Sequence, residues 1–239
     1  MKKAVFVLMA LCLISNFAYC ILKAEQPARK IRIVLVGDST VNDGGGWGAG
    51  FKKLIDDSVE CANFAMNGRS SKSFIDEGHW KKALADRADY VLIQFGHNDM
   101  PGKGPARETD PKTTYRELMA RYVDESRAAG ATPVLVTSMT RRNFRDGKVV
   151  TLLGDYADAV RALAREKNVP LVDLHARSIE LVNRLGQEES DTLGPVVDGR
   201  PDRTHLSPKG QAVMARLVVE ELRKAVPELG PHLKKETDE

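Results

Sequence analysis

The chain has 239 residues and a mass of 26.3 kDa, the size of one α/β domain rather than of several domains. Hydrophobic residues make up 42% of the sequence and charged residues 29%, so the chain is too apolar to remain disordered. The net charge is +3. Without residues 1–20 the rest of the chain has 34 basic and 33 acidic residues, so its net charge is +1. A nucleic-acid-binding protein needs a strongly basic face, so we expect no nucleic-acid partner.

The N-terminus has the composition of an export signal. Two lysines follow the first residue, and then come an apolar run over residues 4–14, Ser15-Asn16 and the small-residue context Ala18-Tyr19-Cys20. This order is typical of a signal peptide over residues 1–20, which predicts a secreted or periplasmic protein without membrane association after cleavage. An uncleaved anchor and lipidation at Cys20 are the alternatives. Cleavage would leave Cys61 alone, so no intramolecular disulfide is expected.

One domain is predicted over residues 28–226, followed by a charged tail over residues 227–239. Short β-rich runs alternate with helical patterns along this domain. The predicted strands are Ile31–Val36, Val59–Phe64, Tyr90–Phe95, Val134–Thr137 and Val169–Val172. Most of these runs are apolar throughout rather than alternating in polarity, which is typical of parallel strands buried on both faces.

Apolar residues at helical spacing predict amphipathic helices between the strands. Two such stripes occupy residues 115–123 and 156–164. A last helix is predicted to begin at Ser207 and Pro208, with the serine as N-cap and the proline at the first helical position. Alternating strands and helices with right-handed crossovers predict a three-layer α/β/α sandwich around a five-stranded parallel sheet, which is a flavodoxin-like arrangement.

Polar blocks follow the predicted strands, at the sheet edge where functional groups of such folds collect. These blocks are Gly37-Asp38-Ser39-Thr40, Asn67-Gly68-Arg69-Ser70, Gly96-His97-Asn98-Asp99 and, just before the last helix, Asp202-Arg203-Thr204-His205. Because the carboxyl ends of parallel strands meet at one edge, we expect these blocks to lie close together.

Five residues of these blocks could perform nucleophilic catalysis. A serine hydroxyl becomes a nucleophile when a histidine takes its proton and a carboxylate orients that histidine, and Ser39, His205 and Asp202 offer these roles. The resulting oxyanion needs preplaced donors, for which the backbone N–H groups of Ser39 and Gly68 and the amide of Asn98 are candidates. Each residue alone is equally well explained as a cap, a turn or a surface ion pair. Their convergence on one edge favours the catalytic interpretation.

The same blocks resemble those of the SGNH (GDSL-like) hydrolases. GDST stands at 37–40, Gly68 lies in NFAMNGRSS, GHND stands at 96–99 and DRTH at 202–205, in the order usual for that family. The resemblance covers Ile31 to about Lys224. It implies Ser39 as the nucleophile, Gly68 and Asn98 in the oxyanion hole, and Asp202 with His205 as the rest of the triad.

Further motifs resemble the rhamnogalacturonan acetylesterase branch, carbohydrate esterase family twelve. They are GGGWG at 44–48, NxAxxGRSSxSF at 63–74, FGHND at 95–99, TDPxTxY at 109–115, RR-x-F at 141–144 and DxTHLSPxG at 202–210. Thr40 replaces the leucine of the wider family but agrees with this branch. The resemblance implies hydrolysis of acetyl esters on plant cell-wall polysaccharide, without a metal or cofactor.

Four further residues are candidate substrate contacts. Trp47 could stack on a sugar ring, or it could begin a helix that has Phe51, Leu54 and Ile55 on its buried side. Arg69, Arg141 and Arg142 follow sheet edges and could bind galacturonate carboxylates, or they could be solvated loop charges.

The loops around these blocks are predicted to shape the site. Gly/Pro-rich segments 101–111 and 186–201 are expected to frame an open groove that admits a polymer. Asp38 is expected to order the nucleophile turn through backbone hydrogen bonds, and His97 to brace its own loop.

Together these patterns predict a monomeric serine esterase acting on acetylated polysaccharide or oligosaccharide, with pectic rhamnogalacturonan as the preferred polymer. An acetylxylan esterase, a lysophospholipase-type lipid esterase and a carbohydrate-binding module without turnover are the alternatives. A dinucleotide fingerprint at residues 44–49 is a weak match, because it begins several residues after the first predicted strand and Ser39 intervenes.

Overall fold

The computed structural model describes residues 29–234. The predicted signal peptide over residues 1–20 and the end of the predicted tail, residues 235–239, lie outside the described residues. Within the described range, none of the helices is long and apolar enough to cross a membrane.

The elements follow the alternation that the sequence predicts. The strands are β1 (Ile31–Gly37), β2 (Val59–Asn63), β3 (Tyr90–Gln94), β4 (Thr132–Val136), β5 (Phe144–Arg145), β6 (Lys148–Val149), β7 (Leu171–Val172), β8 (Val196–Val197) and β9 (Arg200–Pro201). The helices are α1 (Gly48–Lys53), α2 (Ser71–Asp76), α3 (His79–Leu84), α4 (Thr114–Ala128), α5 (Gly154–Glu166), α6 (Leu174–Asp191) and α7 (Pro208–Ala225), followed by a 3-10 helix (Pro227–His232).

Five of these strands form one parallel sheet in the order β2-β1-β3-β4-β7, and β5-β6 and β8-β9 are separate antiparallel hairpins. This confirms the predicted five-stranded parallel sheet and the flavodoxin-like strand order. Because β1 lies between β2 and β3, the turn that follows it is flanked at the carboxyl edge by the loops after those two strands, where a site in this type of fold is expected.

The sheet is covered on both faces. In β1, Ile33 and Leu35 pack into one hydrophobic core, and Val34 and Val36 pack into the other. Helices α1, α6 and α7 contribute to the first core, and α2, α3, α4 and α5 contribute to the second. Burial on both faces explains why β1, β3 and β4 are mostly apolar, whereas the edge strand β2 keeps polar residues, and it confirms the three-layer α/β/α sandwich.

The predicted helical stripes are buried where the pattern places them. Tyr115 and Met119 of α4 and Tyr156 of α5 lie in the second core. Helix α7 begins as predicted, because the Ser207 side chain accepts a hydrogen bond from the Gly210 N–H at 3.3 Å and proline follows at the first position.

Two predicted boundaries differ from the structure. Helix α6 continues past a kink at Gly186 to Asp191, so the first part of the predicted 186–201 loop is helical. The predicted tail does not begin at residue 227, because the 3-10 helix packs on the core through Leu229, and Leu233 is buried after it. These two leucines supply the apolar surface that keeps an otherwise polar segment folded.

Candidate active site

The turn after β1 presents Ser39 at the sheet edge. Oδ1 of Asp38 accepts hydrogen bonds from the Thr40 N–H at 2.8 Å and from the Thr40 hydroxyl at 2.7 Å, which closes the turn around Ser39. A Cβ on Gly37 would lie 2.5 Å from the Gln94 carbonyl oxygen, so only glycine fits this position. Asp38 therefore orders the turn, as the sequence predicts.

Ser39, His205 and Asp202 form one hydrogen-bonded chain. Nε2 of His205 lies 3.0 Å from Oγ of Ser39, and Nδ1 of His205 lies 2.7 Å from Oδ2 of Asp202. Both distances are within hydrogen-bond range, so the serine and its base are already in contact. The three residues predicted as a triad are thus brought together from opposite ends of the domain.

The Asp202 carboxylate is held by its own loop. Burial opposes its ionisation and raises its pKa, but hydrogen bonds from the His205 side chain and from the backbone N–H groups of His205 and Thr204 prevail and lower the pKa to about 2. The carboxylate is therefore ionised at neutral pH, and it favours the His205 tautomer that carries its proton on Nδ1 and accepts from serine at Nε2.

The loops of Gly68 and Asn98 join the Ser39 turn at the same edge. The Met66 N–H donates to the Gly37 carbonyl at 3.0 Å, which ties the second block to the nucleophile turn. Asn98 Nδ2 donates to the Arg69 carbonyl at 3.2 Å, and its second amide hydrogen is left for another acceptor. Gly68 has φ of +74°, a conformation that favours glycine. These contacts join the loops of Gly68 and Asn98 to each other and to the turn that carries Ser39.

Trp47 is fully buried, so the prediction that it stacks on a sugar ring is wrong. Its Nε1–H donates to Oε1 of Gln94 at 3.0 Å, and Nε2 of Gln94 donates to the Thr40 hydroxyl at 2.8 Å. The indole also packs edge-on against Phe51, with ring centroids 5.9 Å apart. Trp47 thus stabilises the nucleophile turn from inside the core, and the alternative interpretation, that a helix begins at Trp47, is correct.

Arg142 is also fully buried, so it cannot bind substrate as predicted. Its Nη2 donates to the carbonyl oxygens of Asp202 and, at 2.7 Å, of His205, and its own N–H donates to the Arg203 carbonyl at 2.9 Å. Burial lowers the pKa of Arg142 to about 10, which leaves it charged at neutral pH. Arg142 is a positioning residue for the loop that carries Asp202 and His205.

The remaining two predicted arginines have different surroundings. Arg69 pairs with Glu77 at 2.8 Å and donates to the Asn67 carbonyl at 2.9 Å, so its guanidinium is engaged within its own loop. Arg141 is partly buried, and burial lowers its pKa. It lines a cavity of about 540 Å³ that also includes Asp202. Of the two, Arg141 is the one placed beside the His205 loop.

A buried pair lies beneath the nucleophile turn. His97 Nδ1 is 3.8 Å from Oδ2 of Asp38, and neither these atoms nor His97 Nε2 has a hydrogen-bond partner among the described residues. Burial lowers the pKa of His97 and raises that of Asp38. The imidazole is therefore neutral, and the loop is held through the His97 backbone carbonyl, which accepts a long hydrogen bond from Arg141.

The part of the chain that the structure describes contains no cluster of side chains suited to bind a metal ion. Within residues 29–234, no three or more histidine, cysteine, aspartate or glutamate side chains are grouped so that they could hold a metal ion.

Comparisons with known proteins agree with this fold and geometry. Residues 35–213 match the GDSL-like lipase/acylhydrolase family. The chain is 39% identical over 226 residues to rhamnogalacturonan acetylesterase RhgT of Bacillus subtilis (strain 168), which covers 86% of this chain and 94% of that protein. It is 29% identical over 210 residues to the rhamnogalacturonan acetylesterase of Emericella nidulans, covering 77% of this chain and 81% of that one.

A solved structure shares the architecture. A crystal structure of a Bacillus subtilis protein superposes with a TM-score of 0.69 at 27% identity, and it covers 83% of this chain. This chain spans 58% of that protein's length. Fold, site and relatives together define a carboxylic ester hydrolase of the SGNH type. The chain belongs to the GDSL-like lipase/acylhydrolase family, and within it the chain is similar to the rhamnogalacturonan acetylesterases.

Proposed function

We propose that the protein is a serine acetylesterase that removes acetyl groups from pectic rhamnogalacturonan. The observation that carries the proposal is the hydrogen-bonded chain from Asp202 through His205 to Ser39. The names of the relatives, rhamnogalacturonan acetylesterase in two organisms, support acetyl esters of this polymer as the substrate.

The first half of the reaction transfers the acetyl group to the enzyme. His205 Nε2 takes the hydroxyl proton as Ser39 Oγ bonds to the acetyl carbonyl carbon, and the carbonyl electron pair moves onto oxygen. The backbone N–H groups of Ser39 and Gly68 and the Asn98 amide donate to this oxyanion. When the oxyanion collapses, the bond to the sugar oxygen breaks, and His205 gives its proton to that oxygen.

The second half returns the enzyme to its starting state. Water donates a proton to His205 as its oxygen attacks the acetyl carbon, and a second oxyanion forms at the same donors. Collapse breaks the bond to Ser39, which regains its proton from His205, and acetate leaves. Asp202 stabilises the imidazolium in both halves, because its low pKa keeps it ionised throughout.

The surface near the triad favours a sugar over a lipid. The cavity beside the triad loop is lined by arginines and other polar residues, including Arg141 and Asn143. The large apolar side chains that are exposed among residues 29–234 are Met66, Leu152, Val196 and Val197. A lysophospholipase-type enzyme needs a broad apolar rim for its acyl chain, and none of these four residues lines the cavity beside the triad loop.

Replacement of the nucleophile tests the reaction. Ser39→Ala should lower kcat on p-nitrophenyl acetate by about 10⁴-fold or more, because no other described hydroxyl contacts His205. Its affinity for rhamnogalacturonan oligosaccharides should persist. The control is Ser58→Ala, an exposed serine before β2 at the opposite edge of the sheet, which should keep wild-type turnover. Turnover that survives Ser39→Ala would refute the nucleophile assignment, and sugar binding without wild-type turnover would indicate a carbohydrate-binding module.

A substrate panel tests the polymer. Acetate release should be faster from acetylated rhamnogalacturonan than from acetylated xylan at equal ester concentration, and a lysophospholipid should not be hydrolysed at a comparable rate. Faster release from xylan would replace the proposed substrate with that polymer while leaving the acetylesterase reaction in place.

A further inference from the structure

A basic cavity lies beside the triad loop, and no step of ester hydrolysis uses it. Its volume is about 540 Å³, and its lining includes Arg141, Asn143, Arg200, Arg203 and the triad residue Asp202. This volume is within the range of pockets that bind small ligands. Because Asp202 is shared with the triad, a group bound here would adjoin the sugar whose ester is cleaved.

The three arginines of this cavity differ in how far their charge is compensated. Arg203 donates to both carboxylate oxygens of Asp191, each at 2.9 Å. Arg141 has no carboxylate partner within hydrogen-bond distance; it makes a 3.4 Å contact with the His97 carbonyl, and its buried Nε has no partner among the described residues. Arg200 has neither an ion pair nor a side-chain hydrogen bond with any residue in the 29–234 range.

The carboxylate within the cavity makes no direct ion pair with either arginine among the described residues, although its charge and that of Asp38 act on Arg141 from a greater distance. Asp202 accepts hydrogen bonds from the His205 ring and from two backbone N–H groups, so its oxygens are already occupied. The partly buried Arg141 and the exposed Arg200 therefore line one concave space, and neither has a carboxylate within ion-pair distance among the described residues. Such an arrangement attracts an anion, and the planar guanidinium matches a carboxylate in particular.

Both arginines are fixed by the backbone. Arg200 lies on the β8-β9 hairpin, whose turn residues Asp198 and Gly199 have φ of +49° and +72°, as a tight two-residue turn requires. The hairpin is closed at its base by the Asp202 N–H, which donates to the Pro195 carbonyl at 2.8 Å. Arg141 precedes the buried Arg142, which is bonded to the triad loop. The backbone positions from which both side chains extend are therefore fixed relative to the triad loop.

We propose that Arg141 and Arg200 form a uronate subsite, which binds the carboxylate of a uronic acid next to the sugar that carries the acetyl ester. This inference rests on the proposed function for the adjoining ester, and it adds the residues that select an acidic polymer. A neutral acetylated polymer lacks the group that these arginines would bind.

Binding of unacetylated oligosaccharides tests the subsite without any hydrolysis. Isothermal calorimetry would compare rhamnogalacturonan oligosaccharides with the same oligosaccharides methyl-esterified at their carboxyl groups. The wild-type protein should bind the acidic form about tenfold more tightly or better, because a charge-assisted pair is lost on esterification. Arg200→Gln should lose most of this preference, and Arg141→Gln should also reduce it.

The matched control is Arg165→Gln. Arg165 is exposed near the end of α5, about 14 Å along the helix from Tyr156, which contacts the Asp99 loop at the site's edge. The Arg165→Gln substitution removes the same charge as Arg200→Gln, and this variant should keep the wild-type preference for the acidic oligosaccharides. Because Arg200 is exposed and unpaired, its variant tests the subsite even if Arg141→Gln fails to fold.

Three results would overturn the subsite: equal affinity for the acidic and esterified forms, no binding of either form, or an Arg200→Gln variant that matches Arg165→Gln. The acetate-release assay is separate from this measurement. Loss of the proposed ester substrate would leave the carboxylate preference measurable, and loss of the preference would leave acetate release intact.

Discussion

The role of the Asp202 carboxylate depends on which groups donate hydrogen bonds to each of its two oxygens. One oxygen accepts a hydrogen bond from the His205 ring, and the other accepts hydrogen bonds from two backbone N–H groups of the same loop. These contacts keep the group ionised and fix its direction. An amide in the same place would keep the shape but would present an N–H to Nδ1, which favours the wrong histidine tautomer.

Asp202→Asn should therefore lower kcat on p-nitrophenyl acetate by about 10³–10⁴-fold with a small change in KM. Steady-state kinetics would measure the two constants separately. The control is Asp146→Asn, which makes the same exchange at an exposed hairpin turn where asparagine also tolerates a positive φ. A variant that kept its kcat would show that the carboxylate does not orient the base.

The neighbouring arginines 141 and 142 show what residue type alone does not determine. Both were candidates for binding a sugar carboxylate, but only the Arg141 side chain lines a cavity, and Arg142 is buried against the triad loop. The direction of each side chain depends on the packing of a loop against residues 202–205, about sixty positions later in the chain. No local pattern encodes that packing.

At the scale of elements, the segment between the β8-β9 hairpin and α7 carries two of the three triad residues on a short loop. Its end is fixed by the Ser207 cap and by the Leu206 N–H, which donates to the Gly45 carbonyl at 2.8 Å. Its inner side is fixed by Arg142. The glycine-rich segment thus packs beneath the histidine, and a Cβ on Gly45 would lie 3.4 Å from the His205 side chain.

Arg142→Ala should lower kcat by about tenfold to a hundredfold, because the His205 and Asp202 carbonyls lose their common donor and the imidazole can shift. Arg142→Lys keeps a charge and a donor, so it should recover part of the loss. Kinetics would be measured where urea unfolding shows each variant to be folded. A purely structural role would reduce the free energy of unfolding but leave kcat of the folded variant unchanged.

At the scale of the whole molecule, stability should depend on a buried acid next to the site. Asp99 is buried and accepts hydrogen bonds from Ser71 and from the Thr109 hydroxyl. Burial nevertheless prevails and raises its pKa to about 7. The folded state therefore favours the protonated acid more than the unfolded state does, where its pKa is about 3.9. The free energy of unfolding should fall as pH rises from about 4 to 7 and then level off.

Asp99→Asn removes this titration. The free energy of unfolding of the wild-type protein, minus that of the variant, should fall by up to about 4 kcal/mol between pH 4 and 8. Urea titrations at unit pH steps would measure it, and contributions from acids that do not interact with Asp99 cancel in the difference. An exposed control, Asp57→Asn, should follow the wild-type curve. Parallel curves for Asp99→Asn and the wild-type protein would contradict a raised pKa.

Much of the fold could be predicted because burial on two faces leaves a continuous apolar run, which marked most of the five strands of the sheet. Helices α4, α5 and α7 were long enough for their stripes to repeat. Helices α2 and α3 have six residues each and the hairpin strands two, too few for a period to show. Ser39, Asp202 and His205 could be predicted because each lies in a local sequence motif. Arg200, which lines the adjacent cavity, lies in a predicted loop where no sequence motif marks it as a functional residue.

The hydrogen bond between Ser39 and His205 joins residues that are 166 positions apart in the chain. A ribosome must therefore release almost the whole sequence before the base can reach the nucleophile. Truncated translation products that stop before α7 would lack the base or its anchor, and they could not turn over an ester. Hydrolysis of a chromogenic acetate thus reports complete synthesis and correct folding in a single reading, which allows refolding from urea to be followed by activity alone.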